Sequence, residues 1–459
     1  MSTIAAIATA TGAGGIGIIR MSGKECFEIL GKIFIPKNGK FSIEETPGYT
    51  IRYGYIINPQ TQEKIDEVLV SFFKGPKSYT TENMCEINSH GGMVVERKIL
   101  EQCLLNGAEL AAPGEFTKRA FLNGRIDLSQ AESVIDIINA KTDKEAKASV
   151  SQLQGSLSKE ITKIREVLLD LMADIEASID YPEYDIEETS YQKANDVLNQ
   201  VKNKLVRLEN SFQDGKILRD GVKTVIVGKP NAGKSSLLNI MLDEERAIVS
   251  DYAGTTRDTI EEFIKIHDVP LKIIDTAGIR HTEDKIEAIG VKKAIGLIED
   301  ADLIIAIFDI SEKLEEEDFK ILNLIKNKKT IILLNKCDIR EKDTETINYM
   351  SKLNKTFIEA SMRTKKGIDE LYLTISKMFA INEIDIGKDT VITNIRHKNQ
   401  IHKALESIDR AIDICLNQMP IDIIAVEIKQ VLEDLGDITG DNVSEDIINE
   451  IFSKFCLGK

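Results

Sequence analysis

The stretch Gly228-Lys-Pro-Asn-Ala-Gly-Lys-Ser235 decides the fold. It matches G-x-x-x-x-G-K-[ST], follows the apolar run Thr224–Val227 and opens a helix-like run, Ser236–Leu242. Its glycines let backbone N–H groups approach a phosphate chain, Lys234 carries charge to the β and γ groups, and Ser235 offers a hydroxyl to magnesium. Strand, loop and helix in this order predict a doubly wound α/β sheet, in which ligand loops leave the carboxyl ends of the strands. Three further loops take that position. Asp275-Thr-Ala-Gly278 follows Leu271–Ile274 and supplies a carboxylate near the magnesium water shell and a glycine N–H for the γ-phosphate. Asn335-Lys-Cys-Asp338 follows Ile331–Leu334, and the Asp338 carboxylate suits the N1–H and 2-amino donors of guanine, which adenine lacks in that arrangement. A site whose buried polar group is left unpaired rejects the wrong ligand by about 10⁴. Ser361-Met-Arg363, after Thr356–Ile358, can close over the base. The Asp275–Gly278 or the Asn335–Asp338 motif alone is as readily a surface turn; in order, and with the phosphate loop before them, they predict a guanine-nucleotide site and disfavour an ATPase.

Between the first two loops lies Gly254-Thr255-Thr256-Arg257-Asp258, in the position of a switch loop, with Thr256 as the expected second magnesium ligand. After Gly278 the chain has Ile279, where Ras-type enzymes orient the attacking water with glutamine. Another group must take that role. Glu283, Asp284 and Glu287 are the nearest carboxylates, in a segment that reads equally well as an exposed acidic loop.

Outward from this centre, the runs Leu303–Phe308, Thr330–Leu334 and Thr356–Ile358 alternate with amphipathic helices, as in a mostly parallel sheet covered by helices. Upstream, Tyr191–Leu218 is helical, and Leu157, Ile161, Ile164, Leu168, Leu171, Ile175 and Ile179 form one stripe of a long helix ended near Pro182. Downstream, Arg396–Leu416, Ile421–Leu435 and Ser444–Phe455 are helical. The α/β unit is therefore inserted between two helical parts, expected to form one bundle because neither could easily bury its stripe alone. Residues 1–120 differ: short β-branched runs (Tyr53–Ile57, Val68–Phe73, Met84–Ile87) with Gly and Pro turns predict an α+β domain. The expected domains are 1–120, a helical domain of 121–217 with 383–459, and an inserted 218–382.

The 459 residues are too many for one ordinary core, and 42% hydrophobic content fits a globular protein. There is no run of about 18 uncharged apolar residues, and Met1–Ile19 has no basic residue before Arg20, so neither a membrane span nor a signal peptide is expected and the cytoplasm is the default compartment. Six scattered cysteines without a C-x-x-C pair argue against structural zinc or disulfides. A net charge of −16 disfavours a nonspecific nucleic-acid coat, so an RNA partner must meet a local basic patch.

The chain as a whole resembles the MnmE (TrmE) family of tRNA-modification GTPases. The resemblance rests on Gly14-Gly-Ile-Gly-Ile-Ile-Arg20, Ser89-His-Gly-Gly92, Ala112-Pro-Gly-Glu-Phe116, Arg119-Ala-Phe-Leu-Asn123, the phosphate loop, the switch Asp251–Asp258 and the tail Phe455-Cys-Leu-Gly-Lys459. It implies an N-terminal α+β domain for folate binding and dimerisation, a central helical bundle and an inserted Ras-like P-loop domain. The implied activity is GTP hydrolysis by a homodimer that, in a heterotetramer with an FAD-dependent partner, MnmG, adds a carboxymethylaminomethyl-type group at C5 of the wobble uridine of certain tRNAs. The GTP-site residues it implies are Asn231, Ala232, Gly233, Lys234, Ser235 and Ser236; Ser250, Asp251, Tyr252, Ala253, Gly254, Thr255 and Thr256; Asp275, Thr276, Ala277 and Gly278; Asn335, Lys336 and Asp338; and Ser361, Met362 and Arg363. Lys234 and a water-orienting Glu287 would be catalytic, Ser235 and Thr256 would hold Mg2+, and Asn231, Ser250, Tyr252 and Thr255 would hold a stimulating K+. A tetrahydrofolate derivative, of 5-formyl or methylene type, maps onto Arg20, Glu86 and Arg125, with Lys459 from the tail. Arg125 stands where lysine also occurs, which keeps the charge and changes the hydrogen-bond geometry. Cys456 matches the family's important cysteine, while its sequence context suits a small apolar helix-end residue equally well.

Two rivals remain. Gly12-x-Gly14-x-x-Gly17 matches a dinucleotide fingerprint, but Ile16–Met21 reads as a strand where a helix is required, and no acidic residue lies about twenty positions on. A GTPase switch for ribosome or ribonucleoprotein assembly would share every nucleotide motif. It would have no need of a folate pocket closed by the tail lysine.

Overall fold

The computed structural model describes the chain except residues 11, 38–45, 181–186, 245–261, 275–295, 340–342, 354 and 380–389. Two compact units emerge: residues 1–138, 152–198 and 406–459 form one, and 139–151 with 199–405 the other. The strands are β1 (Ile4–Ile7), β2 (Gly17–Ser22), β3 (Phe34–Pro36), β4 (Thr50–Ile57), β5 (Lys64–Phe73), β6 (Met84–Ser89), β7 (Glu109–Leu110), β8 (Val222–Val227), β9 (Glu262–Ile266), β10 (Val269–Ile273), β11 (Leu303–Asp309), β12 (Thr330–Asn335) and β13 (Thr356–Glu359). The helices are α1 (Cys26–Ile33), α2 (Met93–Leu105), α3 (Glu115–Leu122), α4 (Leu128–Asn139), α5 (Asp143–Leu153), α6 (Ser156–Asp180), α7 (Glu187–Asn210), α8 (Phe212–Asp220), α9 (Lys234–Glu244), α10 (Glu316–Leu324), α11 (Thr344–Ser351), α12 (Ile368–Met378), α13 (Ile395–Leu416), α14 (Ile421–Thr439) and α15 (Glu445–Ser453).

In the first unit seven strands lie in the order β3-β4-β5-β6-β2-β1-β7. All neighbours are antiparallel except β1 and β7. Period-two alternation decides which face is covered: Val68, Val70 and Phe72 of β5 turn inward, where Ile29, Leu30 and Ile33 of α1 and Ile99 and Cys103 of α2 complete the core. The stripe expected on the long helix is buried in α6 at Leu157, Ile161, Ile164, Leu168, Leu171 and Ile175. Ile179, in its last turn, is exposed instead. Helix α6 packs against α14, whose Ile424, Ile428, Val431 and Leu435 are buried.

The second unit holds six strands in the order β13-β12-β11-β8-β10-β9, parallel throughout except at the β9–β10 hairpin. Residues of β11 and β12 are apolar on both faces because each face is covered: Leu303, Ile305, Ile307, Ile331 and Leu333 point to one core, Ile304, Ala306, Phe308, Ile332 and Leu334 to the other. Parallel β8, β11, β12 and β13 therefore open their carboxyl ends along one edge. Two details differ from the sequence reading. Residues Tyr191–Leu218 are not one helix but α7 and α8, parted at Ser211, whose Oγ donates to Leu208 O (2.6 Å) and accepts from Ile392 N (3.1 Å). Strand β9, with no counterpart in the reading, pairs with β10 across the turn His267-Asp268.

Candidate functional site

At the carboxyl edge of the second sheet, the phosphate loop leaves β8. A Cβ on Gly228 would lie 2.5 Å from Ile307 O of β11, so the loop can pass there only as glycine. Asn231 and Gly233 have φ of +63° and +112°, the left-handed backbone that curls a loop around an anion. The half-buried Lys234 ammonium donates to the carbonyls of Gly228 and Lys229, each at 2.7 Å. Burial lowers its pKa, and a polyphosphate would offer this ammonium stronger, anionic acceptors. Ser235 and Ser236 lie in the first turn of α9, with their backbone at a helix N-terminus.

The Asn335 loop is tied to its neighbours residue by residue. Asn335 Nδ2 donates to Ala232 O (2.7 Å) and Oδ1 accepts from Met362 N (3.1 Å), so one buried amide joins three of the expected loops. Lys336 has φ +66°, and its ammonium pairs with Asp309 at the end of β11. Cys337 N donates to Ala360 O (3.1 Å). A hydrogen bond from Ser361 holds the exposed Asp338 carboxyl below the usual carboxylate range, with Arg363 adding to the effect. The structure thus brings together Asn231, Ala232, Gly233, Lys234, Asn335, Lys336, Asp338, Ser361, Met362 and Arg363 along one edge. Ser250, Asp251, Tyr252, Ala253, Gly254, Thr255, Thr256, Asp275, Thr276, Ala277, Gly278 and Glu287 lie outside the described residues.

A second constellation belongs to the first unit. Arg20 of β2 stands opposite Glu86 of β6 in the sheet register, and its Nε and Nη2 both donate to Glu86 Oε1, at 3.0 and 2.8 Å. Its Nη1 donates to Gly458 O of the tail (3.0 Å). Gly458 has φ +86°, and a Cβ there would collide with Ile7 O, so glycine is what lets the tail lie against β1. Beside it, Lys459 is half-buried; burial lowers its pKa, Arg20 lowers it further, and Glu86 and Cys456 oppose them. The Tyr79 ring lies 5.6 Å from the Arg20 guanidinium and 4.5 Å from that of Arg125, and Phe116 lies 5.6 Å from Arg20. Arg20, Glu86, Arg125 and Lys459 therefore gather around an aromatic shelf, from positions up to 439 residues apart. Cationic donors, a carboxylate and a ring face fit the anionic tail and flat donor-bearing ring of a reduced folate. The half-buried Cys456 accepts through its carbonyl from Gly114 N (3.3 Å) and Lys459 N (3.4 Å).

The sequence reading did not single out Tyr79, Gly458, Asp309 or the pair Lys229 and Asp318. An aromatic between two strands carries no motif, and Gly458 matters through its φ. Asp309-Ile-Ser311 had one usable signal, a carboxylate at the end of a buried strand.

Among the described residues, no helix is long and apolar enough to cross a membrane. Comparison with known proteins adds the lineage. Residues 3–125 match the GTP-binding protein TrmE N-terminus and residues 128–456 the MnmE helical domain. Curated proteins called tRNA modification GTPase MnmE are 50% identical in Acetivibrio thermocellus, 48% in Clostridioides difficile and 47% in Alkaliphilus oremlandii, over all of this chain and 99% of each relative. With both constellations in place and this likeness along its whole length, the chain belongs to the MnmE (TrmE) family of tRNA modification GTPases.

Proposed function

We propose that the chain hydrolyses GTP at the carboxyl edge of the second unit and uses a reduced folate, held in the first, to modify tRNA at C5 of the wobble uridine. One observation supports this over an assembly switch: Arg20 and Arg125 both lie over the Tyr79 ring, with Glu86 and Lys459 beside Arg20, in the same chain as the nucleotide loops. The domains would be 1–120, 121–217 with 383–459, and 218–382. In the nucleotide site Lys234 and the loop amides would bind phosphate, and Asp338 would read the base. Ser235 and Thr256 would hold Mg2+, a hard cation that suits hydroxyl oxygens and neutralises phosphate charge. Asn231, Ser250, Tyr252 and Thr255 would hold K+, which is consistent with a chain that has Ile279 where a water-orienting glutamine would stand. Glu287 is the proposed water-orienting group. Copies of the chain would pair as a homodimer and join an FAD-dependent MnmG-like protein in a cytoplasmic heterotetramer; Cys456 is the candidate functional thiol.

The test is nucleoside analysis of tRNA from cells lacking this gene. We expect the wobble modification to disappear, to return with the wild-type gene, and to stay absent with Arg20→Ala, which should also cut 5-formyltetrahydrofolate affinity at least about thirtyfold in calorimetry, the size of a charged hydrogen bond lost from a partly buried site. Unchanged wobble nucleosides in the deletion strain would overturn the tRNA reading, and equal folate binding by Arg20→Ala would overturn the pocket.

A further inference from the structure

Residues outside every nucleotide motif hold two of the nucleotide loops from behind. Asp309 ends β11 with a side chain only 8% exposed, directly beside Asn335 in the sheet register. Its Oδ1 accepts from Ser311 N (2.9 Å) and Ser311 Oγ (2.6 Å), which fixes the carboxylate and turns Oδ2 to the Lys336 ammonium. A few residues on, Asp318 (side chain 4% exposed) and Glu315 hold Lys229 of the phosphate loop, at 2.7 and 3.0 Å. Asp318 Oδ2 also accepts from Glu315 N (2.9 Å), closing the N-terminus of α10.

From this arrangement we infer that Asp309 is a positioning residue for guanine-nucleotide retention, acting through Lys336. Lys336 adopts left-handed backbone that a non-glycine residue keeps only where its surroundings over-determine it. Asn335, Cys337 and Asp338 are held by the phosphate loop, Ala360 and Ser361 respectively; Lys336 is held by Asp309. Removing that charge frees a long, rotamer-rich side chain in the middle of the base-reading loop, and its ordering must then come out of nucleotide binding. Burial pushes the Asp309 carboxyl up, but the hydrogen bonds from Lys336 and Ser311 outweigh it and hold it below the usual range. The pair is accordingly charged at neutral pH. An alternative, in which Asp309 serves only to end β11, predicts lost stability without a selective effect on nucleotide release.

The inference rests on the guanine-nucleotide reading, and the experiment separates the two. Full-length wild type, Asp309→Asn, Asp309→Glu, Ser311→Ala, Lys336→Ala and the double variant Asp309→Asn/Lys336→Ala are loaded with methylanthraniloyl-GDP, and its release is followed by stopped flow beside thermal unfolding. Asp309→Asn should release the nucleotide about tenfold faster, one charge-assisted hydrogen bond's worth. Asp309→Glu should recover part of the loss. In the Lys336→Ala background Asp309→Asn should add nothing, because the partner through which it acts is gone. Ser311→Ala, which leaves the ion pair intact but removes one of the two hydrogen bonds that fix the carboxylate, should speed release by about two- to threefold, less than Asp309→Asn because it acts only through the carboxylate's orientation, and it carries the test if Asp309→Asn does not fold. Unchanged release in Asp309→Asn and Ser311→Ala, or full additivity with Lys336→Ala, overturns the inference. A wild-type protein that binds no guanine nucleotide overturns the site reading instead.

Discussion

In the proposed nucleotide site Asp338 would concentrate the chemistry of base choice in one carboxylate. Its oxygens match the two donors on the guanine edge, and the Ser361 hydrogen bond keeps it ionised below the usual carboxylate range. An amide at this position keeps the shape but can donate, which suits a 2-oxo group in place of a 2-amino group. Asp338→Asn should therefore lose GTP affinity by about 10² or more and prefer xanthosine triphosphate, measured by competitive nucleotide binding; unchanged GTP affinity would contradict the assignment. The pH dependence has a definite sign. A depressed pKa leaves the charged form in place at every pH above the ordinary aspartate value of about 3.9, and it is lost only as pH falls through the depressed value. Guanine selectivity should consequently stay flat from pH 8 down to about 5, as read from GTP and ATP competition at each pH, a pair whose bases do not titrate in that window.

Among the elements, two glycines fix how chain segments meet, and each gives a separable outcome. In α8, a Cβ on Gly215 would collide with the carbonyl oxygen of Ile392. Helix propensity favours alanine there by at most about 1 kcal/mol, while overpacking against backbone costs about 1–3 kcal/mol, so the clash wins. Gly215→Ala should lower the unfolding midpoint of the second unit by a few degrees in calorimetry. Gly458→Ala meets both the left-handed φ and the Ile7 carbonyl, which should lift the tail from β1 and remove the Arg20 acceptor together with Lys459. Reduced-folate affinity should then fall at least about tenfold in titration calorimetry, with GDP affinity unaltered. The same scale shows what was legible in sequence. Strands β11 and β12 stood out because burial on both faces makes them near-continuous apolar runs, and β8 because Val225–Val227 leads straight into the phosphate loop. Strand β9, Glu262-Phe-Ile-Lys-Ile266, buries alternate residues at a sheet edge, and Pro270 interrupts the run that follows, so the hairpin left no comparable mark. The break at Ser211 was hidden because the period continues across it: Leu205, Leu208, Phe212 and Leu218 are all buried. Contiguous loops betrayed the nucleotide site. The Arg20 cluster was legible only by family resemblance, since no local pattern joins β2, β6, Tyr79 and the tail.

At the scale of the whole molecule the chain passes repeatedly between two units, and each unit carries one of the two constellations. Arg20, Glu86, Arg125 and Lys459 fall in the first, and every described nucleotide residue falls in the second. A ligand that binds only the native form stabilises what holds it by RT ln(1 + [L]/Kd), about 2.7 kcal/mol at a hundredfold excess over Kd. For a unit of roughly 200 residues that corresponds to about 5–10 °C in midpoint. Helices α7 and α13 run unbroken across the divisions at 198/199 and 405/406, so melting one unit frays helix turns that the other also uses. Independence should thus be incomplete. In differential scanning calorimetry we expect two overlapping transitions. GDP with magnesium should raise one by the full amount, 5-formyltetrahydrofolate should raise the other, and each should move the second transition by a smaller step in the same direction. Gly215→Ala identifies which transition belongs to the nucleotide-bearing unit, because its collision lies within that unit. A single transition raised equally by both ligands would show that the shared helices fuse the units into one cooperative body, and the division of labour between them would then be one of sites and not of stability.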